Sequence, residues 1–328
     1  MEVYIMDRFI IHDLFGIEVF NIAWYGVIIG VGMILATTIA AWRATKKGYK
    51  SDLIIDFILF AIPIGIVCAR LYYVVFEWEY YAQDLIKIFA IREGGLAIYG
   101  GVLGGIVTAV CFCKYHQFSL LKLLDLVMPS LVLGQAIGRW GNFTNQEAFG
   151  KLILDPNLQF FPYGVYIERL EEWHQATFFY ESMWNLAGLL LILFVVSKGR
   201  RFDGENTWFY FLWYGIGRFW IEGLRSDSLY LFDWTFMGEP IRVSQALSLV
   251  VAVVAAFMLF YNLKIKKCTA DGLLVNQIAA ARAAERAAEE EAALVQDPTL
   301  EEVILEAEAE ESMDTTESTG GEKNGETD

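Results

Sequence analysis

The sequence predicts an all-α polytopic membrane protein. It has seven transmembrane helices, an outside N-terminus, a cytoplasmic C-terminus and a small outer cap. Three observations carry this. Of the 328 residues, 56% are hydrophobic and 15% aromatic, too apolar for an ordinary soluble domain. Apolar runs near bilayer-spanning length recur at about 20–42, 52–76, 94–115, 119–139, 176–197, 206–226 and 244–263. The basic residues then fall in alternate connections, which sets orientation.

In chain order, residues 1–19 mix acids with apolar residues and lack a basic start, so no cleavable signal peptide is expected. Arg43, Lys46, Lys47 and Lys50 follow the first run, and Lys114 and Lys122 lie around the third turn of the chain. Lys198, Arg200 and Arg201 follow the fifth run, and Lys264, Lys266 and Lys267 the seventh. The positive-inside rule makes these connections cytoplasmic. The alternate connections carry Glu77, Glu79, Asp84, Asp155, Asp227, Asp233 and Glu239. Residues 77–93 then form an outer arm, and residues 140–175, with Pro156 and Pro162, an outer cap. Ala97, Gly101 and Gly105 repeat at four-residue spacing in the third run, the small-residue pattern for close helix packing in lipid. Cys68, Cys111, Cys113 and Cys268 have neither disulfide nor zinc spacing and read as packing residues.

The net charge of −15 belongs to the end of the chain. Residues 271–328 hold 17 acidic and three basic side chains, a net of −14, which leaves −1 for the other 270. A membrane domain over 1–267 is therefore followed by an acidic tail over 268–328. The tail is expected to be helical in part over 276–296, with a capping box at Thr299 and Glu302 and disorder in the last sixteen residues.

The stretch from Gly138 to Gly150, GRWGNFTNQEAFG, concentrates Arg139, Asn142, Asn145 and Glu147 among aromatic residues where a membrane helix should surface. With the predicted orientation, Arg70, Arg139, Arg218 and Arg225 lie toward the outer ends of their spans, as do Tyr25 and Tyr99. Tyr214, Arg218, Glu222 and Arg225 fall close to one helix face. An arginine at the bilayer centre costs ~2.5–3.5 kcal/mol even on lenient insertion scales, so several together call for anionic partners. Arg218 and Glu222 could simply pair, and Glu147 and Glu181 could neutralise other arginines. A phosphate head group would satisfy the remaining guanidinium donors. His174 could act as a base, although hydrogen bonding at a helix start is the commoner use. No HExxH, phosphate-loop or serine-nucleophile motif is present.

These residues resemble the bacterial prolipoprotein diacylglyceryl transferase family. The resemblance lies in Gly138–Gly150, in Trp24-Tyr25-Gly26 and in Ala69-Arg70-Leu71-Tyr72-Tyr73. It continues in Glu93–Gly101, in His174–Glu181 and in Tyr214–Arg218 through Glu222 and Arg225. It spans residues 15 to about 263 and excludes the tail. Gln175 stands where the family usually has proline, and Tyr99 where many members have histidine.

The resemblance implies transfer of the diacylglyceryl group of phosphatidylglycerol to the lipobox cysteine thiol of a prolipoprotein, with release of glycerol phosphate. It implies catalytic roles for Tyr99, Arg139, Arg218 and Glu147. Substrate binding would fall to Arg139, Asn142, Tyr25, Asn145, Gly150, Arg70, Tyr214, Glu222 and Arg225. Tyr99 and Glu147 are rival bases. The expected setting is the bacterial cytoplasmic membrane, with the active site facing the outer leaflet. The chain is expected to be a monomer, with no metal, cofactor or nucleic acid. The alternatives are a lipid transporter or flippase using the same arginines, and a non-catalytic receptor.

Overall fold

The computed structural model of the chain describes residues 9–11, 22–91, 94–226, 230–236, 239–270, 273 and 283–289. The elements follow in this order. Strands β1 (Phe9–Ile11) and β2 (Ile22–Ala23) precede helix α1 (Trp24–Lys46), which is followed by α2 (Asp52–Phe76) and the short α3 (Trp78–Tyr81). A 3-10 turn at Leu85–Phe89 leads to α4 (Ile98–Tyr115) and α5 (Leu120–Asn145). The hairpin β3 (Gly164–Ile167) and β4 (Glu172–Gln175) precedes α6 (Thr177–Leu191), which continues as a π-helical turn over Ile192–Val196. Helix α7 (Glu205–Glu222), strands β5 (Tyr230–Phe236) and β6 (Glu239–Arg242) and helix α8 (Val243–Phe260) complete the set.

Among the described residues six helices are long and apolar enough to cross a membrane: those beginning at Trp24, Asp52, Ile98, Leu120, Thr177 and Val243. The seventh expected span, α7, is an 18-residue helix. It carries Glu205, Arg218 and Glu222 and stands outside that group. The chain is thus a multi-pass membrane protein, mostly helical, and its described residues also form three short two-stranded antiparallel ladders. Side chains such as Ile34, Leu59, Val75 and Val253 point outward, while Arg43, Asp125, Glu181, Asn206 and Glu222 are buried. Lipid solvates apolar side chains as well as the interior does, so charged groups gather inside the bundle.

Two glycine-lined seams fix helix pairs. On α4 the close approach is made by Gly100 and Gly104. A Cβ on Gly100 would lie 2.4 Å from the Cys68 carbonyl oxygen, and one on Gly104 2.8 Å from Cys68 Cβ. The expected Ala97–Gly101–Gly105 register is displaced by one residue: Gly101 sits at the seam's edge and Gly105 has open space. The sequence holds two adjacent small-residue rows, and packing against α2 selects the one continued by buried Thr108. Helix α1 packs on α5, with Gly32 against Ile137 and Gly141 against the Tyr25 ring.

The helix ends at residues 197–207 are tied together by Asp125, which is fully buried. Pro129 in α5 lacks the N–H that would reach the Asp125 carbonyl, and Asn206 Nδ2 donates to that carbonyl instead, at 3.4 Å. The Asp125 carboxylate accepts from Gly204 N at 2.7 Å, Thr207 N at 3.0 Å and Thr207 Oγ1 at 2.8 Å, and pairs with Arg200 at 3.1 Å. It therefore caps the start of α7 from a neighbouring helix, satisfying N–H groups that no intrahelical carbonyl can reach. Lys47 lies beside this network, its Nζ buried without a hydrogen-bond partner. Burial, helped by Arg200 and Arg43, pushes its pKa down to about 8.

The chain divides into two compact units, residues 1–273 and 274–328. In the second, residues 283–289 form an exposed α-helical stretch, inside the range expected to be helical. The expected cap at Thr299 and the expected disorder of the end lie outside the described residues.

Candidate active site

Helix α5 does not stop at Arg139. It runs through Asn145 and ends on Gln146, which adopts a left-handed conformation at φ 51°. The last turns are held by aromatic contacts. Trp140 meets Phe178 at 5.6 Å and Phe179 at 6.3 Å, and Phe143 meets Phe178 at 5.1 Å. Trp140 Nε1 donates to Ser182 Oγ, which donates to the Ala136 carbonyl. The GRWGNF stretch therefore keeps its helix through contacts with α6. Those contacts are long-range, so an apolar run ending at residue 139 did not reveal them.

Helices α6 and α7 are registered by a reciprocal pair. The Trp184 and Trp213 rings stack at 4.4 Å, and each indole N–H donates to the other residue's carbonyl, at 2.9 and 2.8 Å. Gly188 and Gly217 make room: a Cβ on either would lie within 2.4 Å of an indole atom. This pairing sets Glu181, one turn before Trp184, against Arg218.

A chain of alternating charges follows. Arg139 Nη2 lies 2.7 Å from Glu181 Oε1, Arg218 Nη1 3.4 Å from Glu181 Oε2, and Arg218 Nη2 2.8 Å from Glu222 Oε2. Glu181 and Glu222 are 4% and 2% exposed. Glu181 Oε1 and Glu222 Oε2 sit within ion-pair distance but accept no N–H along its bond direction. The quartet is balanced in charge rather than net basic. Its guanidinium forks are held by charge while donor directions are left over, which suits recognition of a further anion. Tyr214 feels the charges of Glu181, Arg139, Arg218 and Glu222, and Tyr25 those of Glu147 and Arg139.

Beyond the end of α5, Asn142 and Asn145 both donate to Glu147 Oε1, at 2.9 and 3.4 Å. Gly150 is a crossing point of three segments. Its N–H donates to the Gln175 carbonyl at 2.9 Å, its carbonyl lies 2.9 Å from His174 Nδ1, and its backbone bridges Arg225. A Cβ there would lie 2.7 Å from Gln175 Cβ. His174 is buried, and its Nε2 lies 3.3 Å from Glu172 Oε2. Its role is in the hairpin and its partners are not the helix start.

The structure therefore brings Tyr25, Arg139, Asn142, Asn145, Glu147, Tyr214, Arg218 and Glu222 into one neighbourhood. Tyr99 stands in the first turn of α4 with its ring 6.4 Å from that of Tyr72. No hydrogen bond or ion pair joins it to the arginines among the described residues. Arg70 donates all five of its N–H groups to backbone carbonyls of residues 87–95. Two contributors were not among the expected binding or catalytic residues, although Glu181 was named as a possible partner for the arginines. Glu181 is the shared counter-ion, signalled only by an acid one turn into an apolar run. Arg242 donates to the carbonyls of Glu222 and Arg225 at the end of α7, and nothing in its local sequence marks it.

The family model described as prolipoprotein diacylglyceryl transferase matches residues 12–261. The chain belongs to this family. A phosphatidylglycerol--prolipoprotein diacylglyceryl transferase of Bacillus cereus is 43% identical over 251 residues, covering 75% of this chain and 89% of that protein. The protein of the same name from Bacillus cytotoxicus is 41% identical over 265 residues, covering 79% and 93%. That from Bacillus mycoides is 42% identical over 251 residues, covering 75% and 89%. The match leaves out the acidic tail, as the sequence motifs do, and gives the transporter alternative no support. Membership also places the quartet within the part of the chain that is shared with these relatives.

Proposed function

We propose that this chain transfers the diacylglyceryl group of phosphatidylglycerol to the lipobox cysteine of prolipoproteins, the first step of lipoprotein maturation. The thiolate attacks the glycerol carbon that bears the phosphate. The new C–S bond forms as the C–O bond breaks, the electron pair leaves on the phosphate, and the products are a thioether and glycerol phosphate. The single observation that carries this reading is the Arg139–Glu181–Arg218–Glu222 quartet. Two fixed guanidinium groups can hold the phosphate in the ground state and meet its added charge as it leaves, with little reorganisation.

In this reading Arg139 binds the lipid phosphate, Arg218 stabilises the leaving phosphate, and Asn142 and Asn145 orient the glycerol. Tyr25 and Tyr214 wall the site, and Glu222 steadies Arg218. Gly150 and Arg225 hold the hairpin segment beside it. The thiol, with an ordinary pKa near 8.5, loses its proton to Tyr99 or Glu147. Arg70 serves from the arm. Helix α7 is the seventh span, because its charged face meets Glu181 inside the bundle rather than lipid. The basic connections lie in the cytoplasm, and the quartet opens to the outer leaflet of the bacterial cytoplasmic membrane. Residues 140–175 form the cap, beginning with the end of α5, and the working unit is a monomer.

The test is a mass-shift assay. Purified protein is given phosphatidylglycerol and a lipobox peptide beside an Arg139→Ala variant of equal thermal stability. The expected result is one diacylglyceryl unit on the peptide cysteine, lost in the variant. Product from both proteins would remove Arg139 from an essential role. Product from neither would overturn the assignment.

A further inference from the structure

The segment between α2 and α4 is held by one side chain. Arg70 Nε donates to Ile88 O at 2.9 Å, Nη1 to Gly94 O at 2.7 Å and Gly95 O at 3.0 Å, and Nη2 to Lys87 O at 2.6 Å and Ala90 O at 3.3 Å. The residue is 5% exposed. It forms no ion pair among the described residues, and among them its buried positive charge is met by carbonyl dipoles and by the Tyr81 ring, 5.0 Å away. Burying an unpaired charge is costly. A brace alone could use neutral donors.

Next to this charge is a cavity of about 190 Å3, lined by Arg70, Tyr73, Tyr80, Tyr81, Lys87 and Gly95. At ~30 Å3 per water that is room for about six waters, more than a single ion needs. Gly95 shapes it, because a Cβ there would lie 2.4 Å from Arg70 Nη1 and 2.9 Å from the Tyr73 ring. Lys87 Nζ lies 4.9 Å from the centre of the Tyr80 ring. The hydroxyls of Tyr73, Tyr80 and Tyr81 make no hydrogen bond among the described residues. Arg70 has no donor left, so it contributes field, to which Lys87 adds its charge, while the tyrosine hydroxyls contribute donors.

The surface beside the cavity is apolar. Phe76, Ile86 and Phe89 are 72%, 81% and 82% exposed. Phe76 ends the membrane-spanning helix α2, on which Leu71 and Val75 are also exposed. A cationic, hydroxyl-lined cavity at the end of a lipid-facing surface fits a molecule with an anionic head and apolar chains. We propose that the arm holds an anionic phospholipid at a site separate from the arginine quartet. Its phosphate occupies this cavity and its chains lie along Leu71, Val75 and Phe76. The inference needs only that α2 crosses the membrane. It does not depend on which residues perform the transfer.

The test counts lipid retained by the full-length protein in native mass spectrometry after release from phosphatidylglycerol nanodiscs. Lys87→Glu and Lys87→Ala remove the side-chain cation and leave the Lys87 carbonyl that Arg70 uses. In folded protein, both are expected to retain one phosphatidylglycerol fewer than the wild type. Arg139→Ala, which probes the transfer site, is expected to leave the arm lipid in place, so failure at one site is distinguishable from failure at the other. Unchanged retention in both Lys87 variants would overturn the site. Equal retention from phosphatidylcholine nanodiscs would overturn its anionic preference. Displacement of the arm lipid by soluble glycerol phosphate would show that the cavity takes the free anion instead, and would overturn the lipid assignment.

Discussion

Arg139 and Glu181 meet at 2.7 Å, and the same carboxylate reaches Arg218 at 3.4 Å. One buried acid thus sets the distance between the two guanidinium groups proposed to handle the lipid phosphate. Glu181→Gln keeps the shape and removes the charge. It leaves two arginines short of a counter-ion, and breaking a buried pair in this way costs ~3–5 kcal/mol. The expected outcome is a lowered unfolding temperature in detergent together with a fall in transfer. A variant as stable and as active as the wild type would remove Glu181 from the site.

A proton-transfer role for Tyr99 predicts a large effect of one missing hydroxyl. General acid–base catalysis contributes ~10²–10⁴-fold. Tyr99→Phe should therefore slow product formation in the mass-shift assay by at least ~10²-fold. Full activity would pass the role to Glu147, whose replacement by Gln should then give the same loss.

The seam between α2 and α4 predicts a contrast between neighbouring glycines. Gly104→Ala places a methyl 2.8 Å from Cys68 Cβ, whereas at Gly105 nothing lies within 4 Å. Overpacking costs ~1–3 kcal/mol, so Gly104→Ala should lower the unfolding temperature and Gly105→Ala should not. Equal effects would mean that the sequence's Gly101–Gly105 row is the true packing face.

Lys47 predicts a pH dependence. Its folded pKa of about 8 lies below the ordinary lysine value near 10.4. Between these values the unfolded chain binds more protons than the folded one, so the contribution of Lys47 to stability rises with pH across that window. Below about pH 8 both states are protonated, and the penalty for burying the ammonium is fully present. Lys47→Met should therefore be more stable than the wild type at pH 7, with the difference shrinking toward pH 10 in thermal unfolding profiles. A variant less stable at pH 7 would show that Lys47 has a compensating partner.

Asp125 predicts the cost of losing a cap supplied by another helix. Asp125→Ala removes three accepted hydrogen bonds and the nearer of the two carboxylates paired with buried Arg200. A loss of ~3–5 kcal/mol is expected, measured as a shift in the denaturant midpoint. The mild effect of a surface substitution would contradict the hub.

The sequence by itself determined the class and the chemistry. Runs of apolar residues can be satisfied only by helices in lipid, and charged residues inside such runs are costly enough to mark a site. That Tyr25, Arg139, Asn142, Glu147, Arg218 and Glu222 would gather was therefore legible, and so was the change of composition at the acidic tail. Tertiary structure decided pairings. Gly100 rather than Gly101 forms the α2–α4 seam because backbone approach, not spacing, chooses between two equal rows. Helix α5 extends to Asn145 because Trp140 and Phe143 find partners on α6. Glu181 becomes the shared counter-ion through the Trp184–Trp213 register. Arg70 turns to carbonyls of the arm because Lys87, Ile88, Ala90, Gly94 and Gly95 come within its reach. In each case the deciding contact joins residues that local periodicity cannot relate, since only packing brings them within reach.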